Sequence, residues 1–428
     1  MSVEISAAAA CPATCTDTDP LHLSVDPLAT ARAHVADTAL AGTPAGSGLV
    51  GLELELHLVD LADPAQRPGW DRIQDVVAGL PAMPSGSSVT LEPGGQIELS
   101  TPPVRGIAGS VAALEADRFV LREALLVVGL GAAPLGTDPA REVRRINPNE
   151  RYVAMARHFA ARGCADAGLA MMTATAALQI NLDAGPRHNW AERTSRIRDL
   201  GPVLVAISAC SPLLAGAASG WHSMRQQAWH GIDQGRTAPV AGADPAQAWA
   251  DYALDAPLML VRDGGVTRPV TTGATFADWL AGHAPVDRPP RIVDLDYHLT
   301  TLFPPIRPRG YLELRCLDAV PDRWWPALAG ITAVLIDDPA AADEAAEACA
   351  PVRDAWVTAA RAGLADRPLH VAAISCVDIA VRHSPPELHD RIDAYAGLVA
   401  GGRTPGDEVR ERAAAADPLT ALVEEARA

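Results

Sequence analysis

Residues Gly51-Leu52-Glu53-Leu54-Glu55-Leu56 read GLELEL, leucine alternating with glutamate. Successive side chains of a β-strand point to opposite faces. Leu52, Leu54 and Leu56 therefore share one side, and Glu53 and Glu55 share the other. The leucine side reads as core. Two neighbouring carboxylates on the opposite side need a reason, because their repulsion raises the cost of ionising both.

The same alternation recurs along the chain. In 88–100, two runs of β-formers flank the turn Pro93-Gly94-Gly95, which predicts a hairpin. There Leu91, Ile97 and Leu99 share one face, opposite Glu92, Gln96 and Glu98. A strand over 170–183 sets Leu178, Ile180 and Leu182 against Thr173, Thr175, Gln179, Asn181 and Asp183. In 310–318, Leu312, Leu314 and Cys316 alternate with Tyr311, Glu313 and Arg315.

Between these lie predicted helices over 26–40, 71–80, 107–129, 148–162, 193–217 and 222–236, with Ala-rich helices from 324 onward. Asn147 reads as the cap of the fourth, with Pro148 in its first turn and Glu150 completing a capping box. Residues 291–318 read as strand, Pro-rich loop and strand. The pattern predicts an α+β protein with a mostly antiparallel sheet. The G-x-G at Gly129–Gly131 follows a helical segment rather than a strand, so no dinucleotide-binding turn is read there. Residues 1–20 are expected to be disordered, and 21–428 to form a single domain.

One sheet face thus gathers Glu53, Glu55, Glu92, Glu98 and Glu313 with Gln179 and Arg315. Three readings compete: a solvated face, an acid/base carboxylate pair, and a cluster holding divalent cations. Hard cations such as Mg²⁺ or Mn²⁺ prefer oxygen ligands and would relieve the repulsion. That reading accounts for the number of acids best.

Composition narrows the chemistry further. The net charge of −17 argues against nucleic acid or an anionic membrane as partner. No long apolar run suits a membrane span. The start, MSVEISAAAACPATC, carries Glu4 where a secretory signal needs basic residues, so the cytoplasm is the expected compartment. The seven cysteines have no paired metal-site spacing. The sequence contains no lysine, which excludes a Walker-A lysine and a pyridoxal Schiff base. If ATP is handled, cations and arginine must meet its phosphates.

Arg225, Trp229, Asp233 and Arg236 recur at helical spacing, and Arg151 and Tyr152 open the capped helix; both groups suit an anionic substrate. The stretches GLELELHLVD, LEPGGQIELST, INPNERYVAM, TATAALQINLD, RQQAWHGIDQGR and HLTTLFPPIRPRGYLELRCLD resemble, in order, the motif series of the type-2 glutamate–cysteine ligases. The lysine-free, Ala-rich chain looks most like the actinobacterial form that serves ergothioneine synthesis.

The resemblance implies a glutamine-synthetase-like fold, a curved sheet whose concave polar face is the active site, with helices packed behind. It implies ATP-dependent joining of the γ-carboxylate of L-glutamate to the amine of L-cysteine through γ-glutamyl phosphate. Another amine acceptor, or a non-catalytic paralogue, is the alternative. It implies two or three Mg²⁺, or Mn²⁺, on Glu53, Glu55, Glu92, Glu98, Glu313 and Gln179, with Glu53, Glu313 and Arg315 catalytic. Arg151, Tyr152, Thr175, Gln179, Arg225, Trp229, Arg236 and Tyr311 become the substrate contacts, and Arg315, Glu55 and His298 the ATP contacts. A monomer or weak dimer is expected, with small molecules as the only partners.

Overall fold

The computed structural model describes residue 21, residues 24–44 and residues 46–428; the N-terminal segment expected to be disordered, 1–20, lies outside the described residues. Strand β1 (Leu49–Asp60) is the spine of the molecule. Val50, Leu52, Leu54 and Leu56 are fully buried on its core side, each contributing roughly 1.5–3 kcal/mol of burial. Along its length β1 pairs with β3 (Ile97–Ser100), β4 (Val104–Arg105), β5 (Leu130–Ala133) and β6 (Ala177–Leu182).

β2 (Ser88–Leu91) extends the sheet beyond β3, while β8 (Leu312–Asp318) and β7 (Ile306–Pro308) extend it beyond β6. The order is β7-β8-β6-β1-β3-β2, and every ladder in this sheet is antiparallel. The expected fold class is therefore the one observed.

Helices α3 (Ile107–Val127) and α6 (Trp190–Ser208), together with the deeply buried helix Trp325–Asp337, pack on the sheet; α1 (Pro27–Ala39) and α2 (Trp70–Ala78) lie outside them. The last helix, Pro418–Arg427, packs on β5, where the Ala426 carbonyl lies 2.4 Å from the place a Gly131 Cβ would occupy. One core cluster includes residues from Leu21 to Ala426. Among the described residues no helix is long and apolar enough to cross a membrane.

Several local expectations need correction. Residues 170–183 are not one strand: α5 (Ala165–Thr173) ends at Thr173, and only Ala177–Leu182 is extended. The helix expected over 222–236 breaks at Gly231 into α7 (Met224–His230) and a single turn, Gln234–Thr237, capped by Asp233. Residues Ile292–Leu299 are helical rather than extended, with Asp294 completing the start signal at Arg291. Helix α4 (Glu150–Ala161) is capped by Asn149, whose Oδ1 accepts from the Arg151 amide at 2.9 Å, not by Asn147. The helix expected to run to 217 stops at Ser208.

Candidate active site

The polar face of the sheet carries a lattice of cross-strand pairs. Glu53 lies opposite Gln179 on one side and Ser100 on the other. Glu55 lies opposite Glu98, which lies opposite Thr90. Asn181 lies between Gly51 and Glu313, and Glu313 lies opposite Arg307. A strict two-residue period in each strand puts all of these on one side.

Neutral donors hold three of these carboxylates. Asn181 Nδ2 donates to Glu53 Oε1 at 2.8 Å. Glu55 accepts from the Ala177 amide at 2.9 Å and from Gln179 Nε2 at 3.2 Å. Thr90 and Ser100 hydroxyls both donate to Glu98 Oε1, each at 3.0 Å.

Burial pushes Glu53 up to about 7, and the charges of Glu98 and Glu313 add to it. Glu98 rises to about 7 through burial and the charge of Glu55. Glu92 is raised well above its ordinary value by burial, then by Glu98 and Glu55, and Glu55 is raised by burial. Arg315 pulls all four down, but burial and their neighbouring acids outweigh it, so these acids resist ionising together.

Glu313 is the exception. Burial would raise it, but Arg307, Arg315 and Arg309 hold it well below the usual carboxylate range. Arg307 binds both of its oxygens, at 2.5 and 3.0 Å, and Arg309 approaches Oε1 to 3.4 Å. Arg315 Nη1 reaches Glu313 Oε2 at 3.2 Å and Gln179 Oε1 at 2.6 Å. Gln179 is thus a bridge from Arg315 to Glu55 rather than a free ligand.

The Glu92 turn is held from behind. Arg67 Nη1 donates to the carbonyls of Gly94 at 3.1 Å and Thr173 at 2.9 Å, while Arg67 Nη2 pairs with buried Asp138 at 2.9 Å. The amides of Ile146 and Asn147 both donate to the Pro93 carbonyl at 3.0 Å. A Cβ on Gly94 would fall 2.1 Å from the Thr173 carbonyl oxygen, and Gly95 has φ +81°. This turn requires both glycines.

Other expected residues divide sharply. Tyr152 is half-buried toward Glu92 and Glu98, and its hydroxyl is raised by burial first and by Glu92 next. Burial also raises Tyr311, with Glu313 and Glu53 adding to it against Arg309. Arg225 and Arg315 both approach the Trp229 ring, at 5.6 and 5.8 Å. Arg151 lies at the margin, bonded to Thr300 and over the Tyr297 ring at 5.0 Å.

Three expected contacts are not part of this face. Arg236 is fully buried and spends its guanidinium on the carbonyls of Thr301 and Pro257, because the break at Gly231 turns it away from Arg225. His298 is buried against Phe276, bonds the Ala253 carbonyl at 2.8 Å, and is pushed by burial down to about 3. It sits as a core histidine, away from the acidic sheet face. The Thr175 hydroxyl is committed to the Met171 carbonyl at 2.6 Å. Arg307 and Arg309 were missed, though they alternate with Tyr311 and Glu313; Asn181, read on the polar face, was not given a role at the site.

The fit to divalent cations rests on the donor set: oxygen ligands only, half-buried at Glu53, Glu55, Glu92 and Glu98, whose mutual repulsion a cation would relieve. Among the described residues no three His, Cys, Asp or Glu groups already stand at ligating spacing, so a cation would have to draw the acids inward.

Residues 49–425 match the model of glutamate-cysteine ligase family 2 (GCS2). This chain belongs to that family. A similar member is the glutamate–cysteine ligase EgtA of Mycolicibacterium smegmatis, 49% identical over 93% of this chain and 94% of that protein. EgtA of Mycobacterium tuberculosis is 47% identical over 92% of each chain. The chloroplastic family member of Arabidopsis thaliana is 31% identical over 69% of this chain and 57% of its own length. The fold is shared with the glutamate–cysteine ligase of Francisella tularensis in complex with AMP, TM-score 0.57 at 15% identity, covering 90% of this chain and 89% of that one.

Proposed function

We propose that this member of glutamate-cysteine ligase family 2 joins the γ-carboxylate of L-glutamate to the amine of L-cysteine at the expense of ATP, supplying γ-glutamylcysteine to ergothioneine synthesis. The observation that carries this reading is the 49% identity to EgtA across nearly the whole of both chains. The acids and Arg315 on one sheet face supply a chemical setting that agrees with it.

In the first step the γ-carboxylate attacks the terminal phosphorus of ATP, and the bond to the ADP oxygen breaks. In the second the cysteine amine attacks the acyl carbon, and phosphate leaves with its bonding electrons while the amine loses a proton. Both steps move charge through a crowded polyanion, so the work of the site is positioning and neutralisation.

Glu53, Glu55, Glu92 and Glu98 would hold divalent cations, Mg²⁺ being our assignment. Such cations, when bound, neutralise phosphate charge and bring the nucleotide onto this face. Arg315, already braced by Glu313 and Gln179, presents a planar fork to the transferring phosphoryl group. Glu313 therefore acts first as the anchor of the arginines, and its sharing with a cation is part of the proposal. Arg225 is assigned to a substrate carboxylate, and Tyr152, Tyr311 and Trp229 to the walls around the amino-acid substrates.

The test is the purified protein with ATP, Mg²⁺, glutamate and cysteine, the product identified by mass. A γ-glutamylcysteine product with matched release of ADP and phosphate is expected. ATP turnover that ignores cysteine but responds to another amine would replace the acceptor.

A further inference from the structure

Strand β8 slips register against β6 between Leu314 and Leu317, leaving Arg315 and Cys316 together opposite Gln179. Such a bulge re-aims side chains and takes backbone groups out of the ladder. Buried carbonyls freed in this way need donors. Here α7 supplies both: Arg225 Nη2 donates to the Arg315 carbonyl and Gln226 Nε2 to the Cys316 carbonyl, each at 2.8 Å.

The same turn of helix is fastened once more at the end of the strand. The Ser223 and Ser211 hydroxyls donate to the two oxygens of buried Asp318, at 2.8 and 2.6 Å. Ser211 Oγ then accepts the Arg225 amide at 3.1 Å. Beside the bulge lies a small cavity lined by Gln226, Trp229, Phe303, Pro305, Arg315 and Cys316.

We propose that Gln226 is a positioning residue. By holding the Cys316 carbonyl it fixes the bulge, keeps the Arg315 guanidinium on Gln179 and Glu313, and so ties the helix bearing Arg225 and Trp229 to the phosphoryl-transfer strand. The proposal rests on the ligase reading for its kinetic consequence, and on geometry alone for its structural one.

Gln226→Met keeps the length of the side chain and removes the donor; Gln227→Met, on the same helix, is the control. The expected result is a fall in kcat of about tenfold or more for Gln226→Met, with KM for ATP and cysteine within about threefold, and no such fall in the control. A crystal structure of the variant should show Arg315 released from Gln179 Oε1. An unchanged kcat, an equal loss in the control, or an Arg315–Gln179 contact preserved in the variant overturns the proposal. If the unaltered protein makes no peptide product, the ligase reading fails and the crystal structure alone decides. Should Gln226→Met not fold, Gln226→Asn, whose amide falls short of the carbonyl, is read in the same two ways.

Discussion

Glu55 and Glu98 stand directly opposite each other on β1 and β3, on the polar face and with like charge. Facing acids in a ladder are destabilising by roughly 0.2–1 kcal/mol on an open sheet. Removing that charge with Glu98→Gln should raise stability in chelator by at least that amount near neutral pH, because the cost of burying the charge goes with it. It should also abolish most of the rise in Tm that Mg²⁺ gives the unaltered protein, since a bound ligand stabilises only through the site it occupies. Thermal melts in EDTA and in Mg²⁺ check both halves.

The pH dependence of the metal-free protein follows from the same acids. Glu53 and Glu98 are both raised from 4.5 to about 7 by burial and by their acidic neighbours. Between those values the folded chain keeps protons that the unfolded chain has released, so stability falls as pH rises. The loss is on the order of 3 kcal/mol per carboxylate when fully developed, and it levels off above neutrality. Glu313, shifted the other way by its arginines, adds stability that is lost progressively as pH falls below 4.5. Melts in EDTA from pH 5 to 8 should slope downward. Added Mg²⁺ should flatten the slope, because cation binding competes with the protons.

Arg315→Lys should lower kcat by about 10²-fold or more, the range for losing one preorganised donor to a developing charge. A point charge cannot span Gln179 and Glu313 while also facing a phosphoryl group. Steady-state assays should place the loss in kcat, with the fold intact by circular dichroism.

Gly94→Ala should destabilise the protein by about 1–3 kcal/mol, the usual range for overpacking. The new methyl would meet the Thr173 carbonyl oxygen and push the turn that carries Glu92. Loss of Mg²⁺-dependent stabilisation beyond the drop in Tm would mark the displaced carboxylate.

The sheet and its acids were legible because a period of two is a local signal. GLELEL, IEL and LQINL each sort core from polar face without knowledge of their neighbours. What was misread turned on local breaks and caps, or on pairing with a distant strand. His298 shares a stretch with the Pro-rich loop and strand, yet its helix is fixed by Asp294 and buried against Phe276. Arg236 kept helical spacing with Arg225, but Gly231 and the cap at Asp233 broke the helix between them. The bulge at Arg315 and Cys316 is invisible in sequence, because only the offset of β8 against β6 defines it.

The most direct test of the account soaks Mn²⁺ with a non-hydrolysable ATP analogue into crystals of the protein and locates the metal by anomalous scattering. Peaks should lie within about 2.5 Å of carboxylate oxygens from at least three of Glu53, Glu55, Glu92 and Glu98. Peaks confined to the outer surface, with those four side chains unmoved and the nucleotide bound elsewhere, would contradict it.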